Sequence, residues 1–148
     1  MKWTTRARPK TDRIACPWLI RRFIDTEAEI LYVAPAEVLQ RAEAEEGHAF
    51  DAPGAEFTHR GKQCSFEVLI DTFDLGGDPG LVRLAQIVHA ADIAEDVATD
   101  PLRAGLRAIG EGGLDAEPDD QQLLARGSFV YDALYAWCQR WHLRQGTA

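Results

Sequence analysis

At 148 residues the chain has single-domain length and can bury roughly 70% of its unfolded surface without covalent staples. Its three cysteines, Cys16, Cys64 and Cys138, show no framework spacing, which argues for a reducing compartment and against structural disulfides. A formal net charge of −8 repels phosphate backbones, so autonomous nucleic-acid binding is not expected.

A short strand is predicted at 3–5, where Trp and Thr favour extended backbone. The run DRIACPWLIRRFID over 12–25 predicts a helix with Pro17 as its first helical residue, so that Cys16 falls at the N-cap. Leu19, Ile20, Phe23 and Ile24 supply its buried face, and Arg21 and Arg22 leave on another side. A thiol at a helix N-terminus near Arg13 should have a lowered pKa, making Cys16 a candidate catalytic thiolate. The alternative is a small buried hydrophobe. Residues 29–34 (EILYVA) predict a second strand, and Pro35 opens a helix to about residue 46 with Val38, Leu39 and Ala42 inside.

From 48 to 61 the pattern breaks into short pieces, with a turn at Pro53-Gly54, a short strand at 57–59 and a tight turn at 60–62. Ser65 can cap a helix over 66–74, with a strand over 64–70 as its rival. Asp78-Pro79 opens a helix to about residue 92 or 94, with Leu81, Leu84, Val88 and Ala91 as its core stripe. Asp100-Pro101 opens a shorter one carrying Leu102, Leu106 and Ile109, stopped by the glycines from Gly110 to Gly113. An acidic loop over 115–120 leads into the longest helix, from Asp120 to about Trp141. Its predicted core stripe is Leu123, Val130, Leu134, Trp137 and Trp141, with Gly127 a weak point. Tyr131, Tyr135 and Cys138 form a second stripe, so the helix is either central in the fold or used in a homodimer interface. The sum is one domain over 1–148, mainly helical α+β: five or six helices around a small β-sheet with a single core layer.

No apolar run approaches the roughly 20 residues of a membrane span and the start, MKWTTRARPK, has no apolar segment, so a cytoplasmic protein without membrane contact is expected. Charge is uneven, with Lys2, Arg6, Arg8, Lys10, Arg13, Arg21 and Arg22 crowding the first 22 positions. Such a patch can draw a small oxyanion to an acidic protein, or can be merely solvated.

His89 and Asp92, three apart on a helix, share a face and make half of a metal site. His59, Cys64 and Glu67 flank a tight turn and are the nearest source of further ligands. Two imidazoles with one or two carboxylates suit a divalent zinc, iron or manganese ion, and Cys64 would shift the preference toward zinc. The alternative makes His89 and Asp92 a surface pair, Glu67 a helix-start charge and Cys64 core. No GxSxG, phosphate-binding glycine loop or dinucleotide fingerprint occurs.

The runs DRIACPWLIRRFID, FDAPGAEFTH, HRGKQCSFE, IVHAAD and VYDALYAWC closely resemble the C-terminal domain of the ChrB chromate-resistance family. The likeness extends from Trp3 to Trp137 or beyond. It implies a part in bacterial chromate resistance and marks Asp12, Arg13, Cys16, Arg21, Arg22, Asp51, His59, Cys64, Glu67, His89 and Asp92 for testing. Longer members carry an N-terminal portion associated with chromate-responsive transcription. The present sequence shows none, so a DNA-binding role is not expected.

The expectation is a cytoplasmic, stress-response domain in which His59, Glu67, His89 and Asp92, with Cys64 as a further ligand, hold one divalent metal. Arg13, Arg21, Arg22 and the Cys16 thiolate face the same cleft, where guanidinium forks suit a tetrahedral oxyanion such as chromate. The alternatives are a redox enzyme using Cys16 or the metal, and a structural or regulatory interaction module.

Overall fold

The computed structural model describes residues 1–93 and 100–146. Lys2–Arg6 (β1) is the central strand of a three-stranded parallel sheet, between Glu29–Val33 (β2) and His48–Ala49 (β3). Parallel neighbours require crossovers, which Asp12–Leu19 (α1) and Val38–Ala44 (α2) supply. The register sets Trp3 opposite both Ile30 and His48. Residues 57–59 do not form the predicted strand; Phe57 makes one bridge to Phe50.

The first helix starts earlier than its proline implies. Pro17 lies inside α1, and Cys16 is in its second turn rather than at the N-cap. Proline removes the N–H that would meet the carbonyl of Arg13. The Tyr32 hydroxyl donates to that carbonyl at 2.7 Å, so a side chain from β2 replaces the missing backbone donor. The helix then widens into a π turn, Ile20–Ile24, closed by the Asp25 N–H on Ile20 O at 2.7 Å.

Four more helices follow: Ser65–Thr72 (α3), Pro79–Asp92 (α4), Arg103–Ala116 (α5) and Asp120–Gly146 (α6). Residues 65–70 are helical, not extended, and the N-cap of α3 is Cys64 rather than Ser65. Asp78 caps α4 as its spacing predicts, accepting the Leu81 N–H at 3.1 Å. The glycines expected to end α5 lie within it. A Cβ on Gly110 would come 3.1 Å from Thr11 Oγ1, so that glycine admits close approach of the segment before α1. Arg8 donates to Leu114 O, Glu117 O, Pro118 O and Asp120 Oδ1 at 2.7–3.0 Å, fastening the α5–α6 turn.

The stripe Tyr131, Tyr135 and Cys138 on α6 is buried within the chain, which makes this helix central in the fold; Trp137 and, on α2, Leu39 are exposed instead of inside. A Cβ on Gly127 would sit 2.9 Å from Ile14 Cγ2, so this position is where α6 meets α1 rather than a weak point. The main core joins Trp3, Leu19, Phe50, Phe66, Leu84 and Leu124, and a small satellite of Val38, Ala42, Ala49, Ala52 and Ala55 lies under α2. No described helix is long and apolar enough to cross a membrane.

Candidate metal centre

Asp12 opens α1, Asp51 follows β3, His59 lies in the loop before α3, and Asp92 ends α4. The fold brings all four together. His59 Nε2 stands 3.1 Å from Asp92 Oδ2, 3.5 Å from Asp51 Oδ1 and 3.6 Å from Asp12 Oδ2. The pocket has a depth gradient: the side chain of Asp12 is 1% exposed, Asp51 7%, Asp92 20% and His59 47%. The imidazole is therefore the mouth and Asp12 the floor.

Buried carboxylates need donors, and the local sequence supplies them. Ser65, at the start of α3, donates its N–H to Asp12 Oδ2 at 2.9 Å and its hydroxyl to Asp51 Oδ1 at 2.7 Å. Cys16, one helical turn after Asp12, donates its thiol to Asp12 Oδ1 at 3.4 Å. Arg6 donates Nε to the Asp51 carbonyl at 2.9 Å, and Arg6 and Arg13 each lie 3.5 Å from Asp51 Oδ2. Asp51 itself has φ +47°, a left-handed conformation that Asp tolerates better than most residues and that gathers at functional sites.

Burial holds the Asp12 carboxyl well above its usual range, with the charges of Asp51 and Asp92 adding to it and His59 opposing. Burial and the Asp51 charge raise Asp92 as well. His59 moves the other way in charge: Asp12 foremost, then Asp51 and Asp92, hold it protonated up to about 9. The constellation is an imidazolium ringed by three acids, of which Asp12 and Asp92 resist losing their protons, an arrangement a divalent cation would relieve.

The four ligands expected to share one ion divide into two groups. His59 and Asp92 join Asp12, whereas Glu67 and His89 join Cys64, with the ligand atoms inside each group within 4.8 Å of one another. His89 and Asp92 do share a face of α4, but a step of three along a helix sends them to neighbouring, separate clusters. Asp12 and Asp51, marked by the family resemblance alone, are the acids that complete the first group. Ser65, read as a helix cap, turns out to orient both.

The arginines part company too. Arg13 faces the pocket through Asp51, but Arg21 donates Nε to Ala28 O at 3.1 Å on the far side of the π turn. Arg22 donates to Asp132 at 3.1 Å and lies over the Tyr135 ring at 4.9 Å from its centroid. None of these partners belongs to the cleft. Cys16 is fully buried, and burial, with Asp12 next, pushes its thiol well above the ordinary range, opposite to the expected thiolate. Its helical position supplies no unpaired N–H groups to offset that.

These features define a small parallel-sheet α+β domain with a carboxylate-rich pocket between its first helix and its fourth. The family model described as "ChrB, C-terminal domain" matches residues 3–138, and the chain belongs to that family. Protein ChrB of Cupriavidus metallidurans is 39% identical over 134 residues, covering 90% of this chain. The chain spans about 40% of the length of that relative. No solved structure matches it significantly.

Proposed function

We propose that this domain acts in chromate resistance as a metal-binding module, holding one divalent cation between Asp12, Asp51, His59 and Asp92. Membership of the ChrB family supports the physiological role. The observation that carries the chemistry is the convergence of three carboxylates on His59 Nε2 within 3.6 Å, two of them almost wholly buried. A donor set of oxygens with one imidazole nitrogen suits manganese, iron or zinc. Ser65 and Cys16 supply the outer donors that fix ligand orientation, as outer-shell partners do in metal sites generally.

The oxyanion follows from the same charges. Metal-free, with all three acids ionised, the His59 imidazolium, Arg6 and Arg13 balance them, so the site holds no net charge to draw in a dianion. With a divalent ion in place and a neutral imidazole, the ion together with Arg6 and Arg13 outweighs the three carboxylate charges by one. The loaded pocket then attracts chromate or sulfate. A cavity of about 60 Å³ beside Asp92 is lined by Lys10, Thr11, Arg107 and Glu111, and because Glu111 pairs with Arg107 the attraction there rests on the ion, Arg6 and Arg13.

Elemental analysis of protein reconstituted with manganese, iron or zinc tests the reading. Loss of one ion per chain in His59→Ala and in Asp92→Asn, with sulfate or chromate binding calorimetrically only to the loaded form, is the expected result. Metal content unchanged by both substitutions refutes it.

A further inference from the structure

The second cluster lies one helical turn from the first along α4 and has a different chemistry. Cys64 is fully buried at the N-cap of α3. Glu67 Oε1 accepts the Cys64 N–H at 3.0 Å, fixing the carboxylate beside the thiol. From α4, His89 Nδ1 meets the same Glu67 oxygen at 2.5 Å. The Glu67 and His89 side chains are 26% and 18% exposed, so both come in from the protein edge to one spot. The capping box of α3 accounts for Glu67 beside Cys64, and the imidazole that joins it from α4 completes a trio whose ligand atoms all lie within 4.8 Å of one another.

We infer that Cys64, Glu67 and His89 form a second metal site, separate from the carboxylate pocket and suited to a thiophilic borderline ion such as zinc. Sulfur, carboxylate oxygen and imidazole nitrogen give three protein ligands, which for zinc leaves a fourth position to solvent or a small ligand. Charge balances in this half-buried setting: a thiolate and a carboxylate neutralise a divalent ion, and the imidazole coordinates uncharged. On uptake the Cys64 S–H bond breaks as the metal–sulfur bond forms and its proton leaves to solvent; the Glu67–His89 hydrogen bond opens, and the imidazole keeps one proton, on whichever ring nitrogen does not bind the metal. No electrons are transferred. Softness separates the two sites, since the thiolate selects zinc-like ions while the first pocket offers oxygens and one nitrogen.

Cobalt(II) added to the full chain is the probe, because a thiolate ligand produces an intense near-ultraviolet charge-transfer band that oxygen and nitrogen ligands do not. The band should form, vanish in Cys64→Ser, and persist in Cys16→Ser and in Asp92→Asn. Glu67→Gln and His89→Gln change partly exposed ligands without touching the core. They should weaken cobalt binding at this band even if Cys64→Ser fails to fold. Absence of the band at saturating cobalt overturns the inference, as does its persistence in Cys64→Ser. A band abolished by Asp92→Asn overturns it too, since the two clusters would then be one site. Loss of one ion in Asp92→Asn with the band intact supports both sites. An intact band with metal content unchanged by Asp92→Asn supports the thiolate site while removing the carboxylate one.

Discussion

The Ser65 hydroxyl donates to Asp51 Oδ1 at 2.7 Å, and both residues are buried. Because the backbone N–H of Ser65 also holds Asp12, one residue at a helix start sets the direction of two acids from distant parts of the chain. Ser65→Ala keeps the N–H and deletes the hydroxyl. Affinity for the divalent ion should fall ~10–100-fold, the usual effect of losing an outer-shell partner. Stability should fall by about 1–3 kcal/mol for the acceptor left without a donor. Calorimetric metal titration and urea unfolding read the two separately.

Metal-free protein should lose stability as pH rises. Folded Asp12 keeps a proton that the unfolded chain has already released, so stability declines as pH climbs above the ordinary carboxylate range. His59, raised from 6.5 to about 9, contributes stability that is complete below the unfolded value and is lost as pH passes through about 9. Both slopes have the same sign. Urea midpoints measured across this window should fall steadily, and His59→Gln should flatten the upper part. Saturating metal should reverse the trend, since the ion binds the deprotonated ligands.

Tyr32→Phe should destabilise the protein by about 1 kcal/mol, because the Arg13 carbonyl then has neither its helical donor nor the hydroxyl. In a Pro17→Ala background the restored N–H can take over, so the same substitution should have a much smaller effect. A double-mutant cycle measured by denaturant unfolding gives the coupling; strictly additive effects would show that the hydroxyl does not stand in for the lost backbone bond.

All three cysteines are buried, and their thiols are pushed above the ordinary range by burial. Native metal-free protein should react with Ellman's reagent far more slowly than the unfolded chain, in which all three label. Cys16→Ser preserves a donor to Asp12 and should leave metal affinity nearly unchanged, whereas Cys16→Ala should lower it. Rapid labelling of Cys16 in the native state would restore the thiolate reading.

Gly127→Ala should cost about 1–3 kcal/mol, since its Cβ would press on Ile14 Cγ2 at 2.9 Å. Ile14→Val retains that methyl and should give no relief, while in an Ile14→Ala background the added methyl should be tolerated. Thermal unfolding of Gly127→Ala, of each Ile14 variant and of the two double variants decides it.

Strands and helix starts with strong local chemistry were legible: EILYV of the expected EILYVA forms β2, and Asp78-Pro79 opens α4. Local signals failed where tertiary contacts override them. Pro17 reads as a helix start, yet Tyr32, fifteen positions later, makes an interior proline tolerable. Gly110 reads as a helix stop because a sequence does not announce that Thr11 will need the space. On α6 the stripe Tyr131, Tyr135 and Cys138 is buried together with Leu123, but Trp137, expected inside as well, is exposed, since Trp137 and Tyr135 look equally apolar until the neighbouring helices are fixed. Ligand types were visible in His59, Glu67, His89 and Asp92, but their division depends on where α1 and α3 lie. Only the fold shows that Asp12 reaches under His59. Asp51 carries no spacing signal at all; its place follows from a left-handed backbone after β3.

The central strand β1 precedes both of its neighbours in the chain, and the acids of the pocket are spread from the first helix to the end of the fourth. The sheet can therefore be complete long before the last acid arrives, leaving Asp12 and Asp51 together without their full set of partners. On the proposed reading, synthesis has to run past α4 before an ion could find its whole cage, and a nascent or proteolysed fragment ending before Asp92 would carry a mismatched pocket.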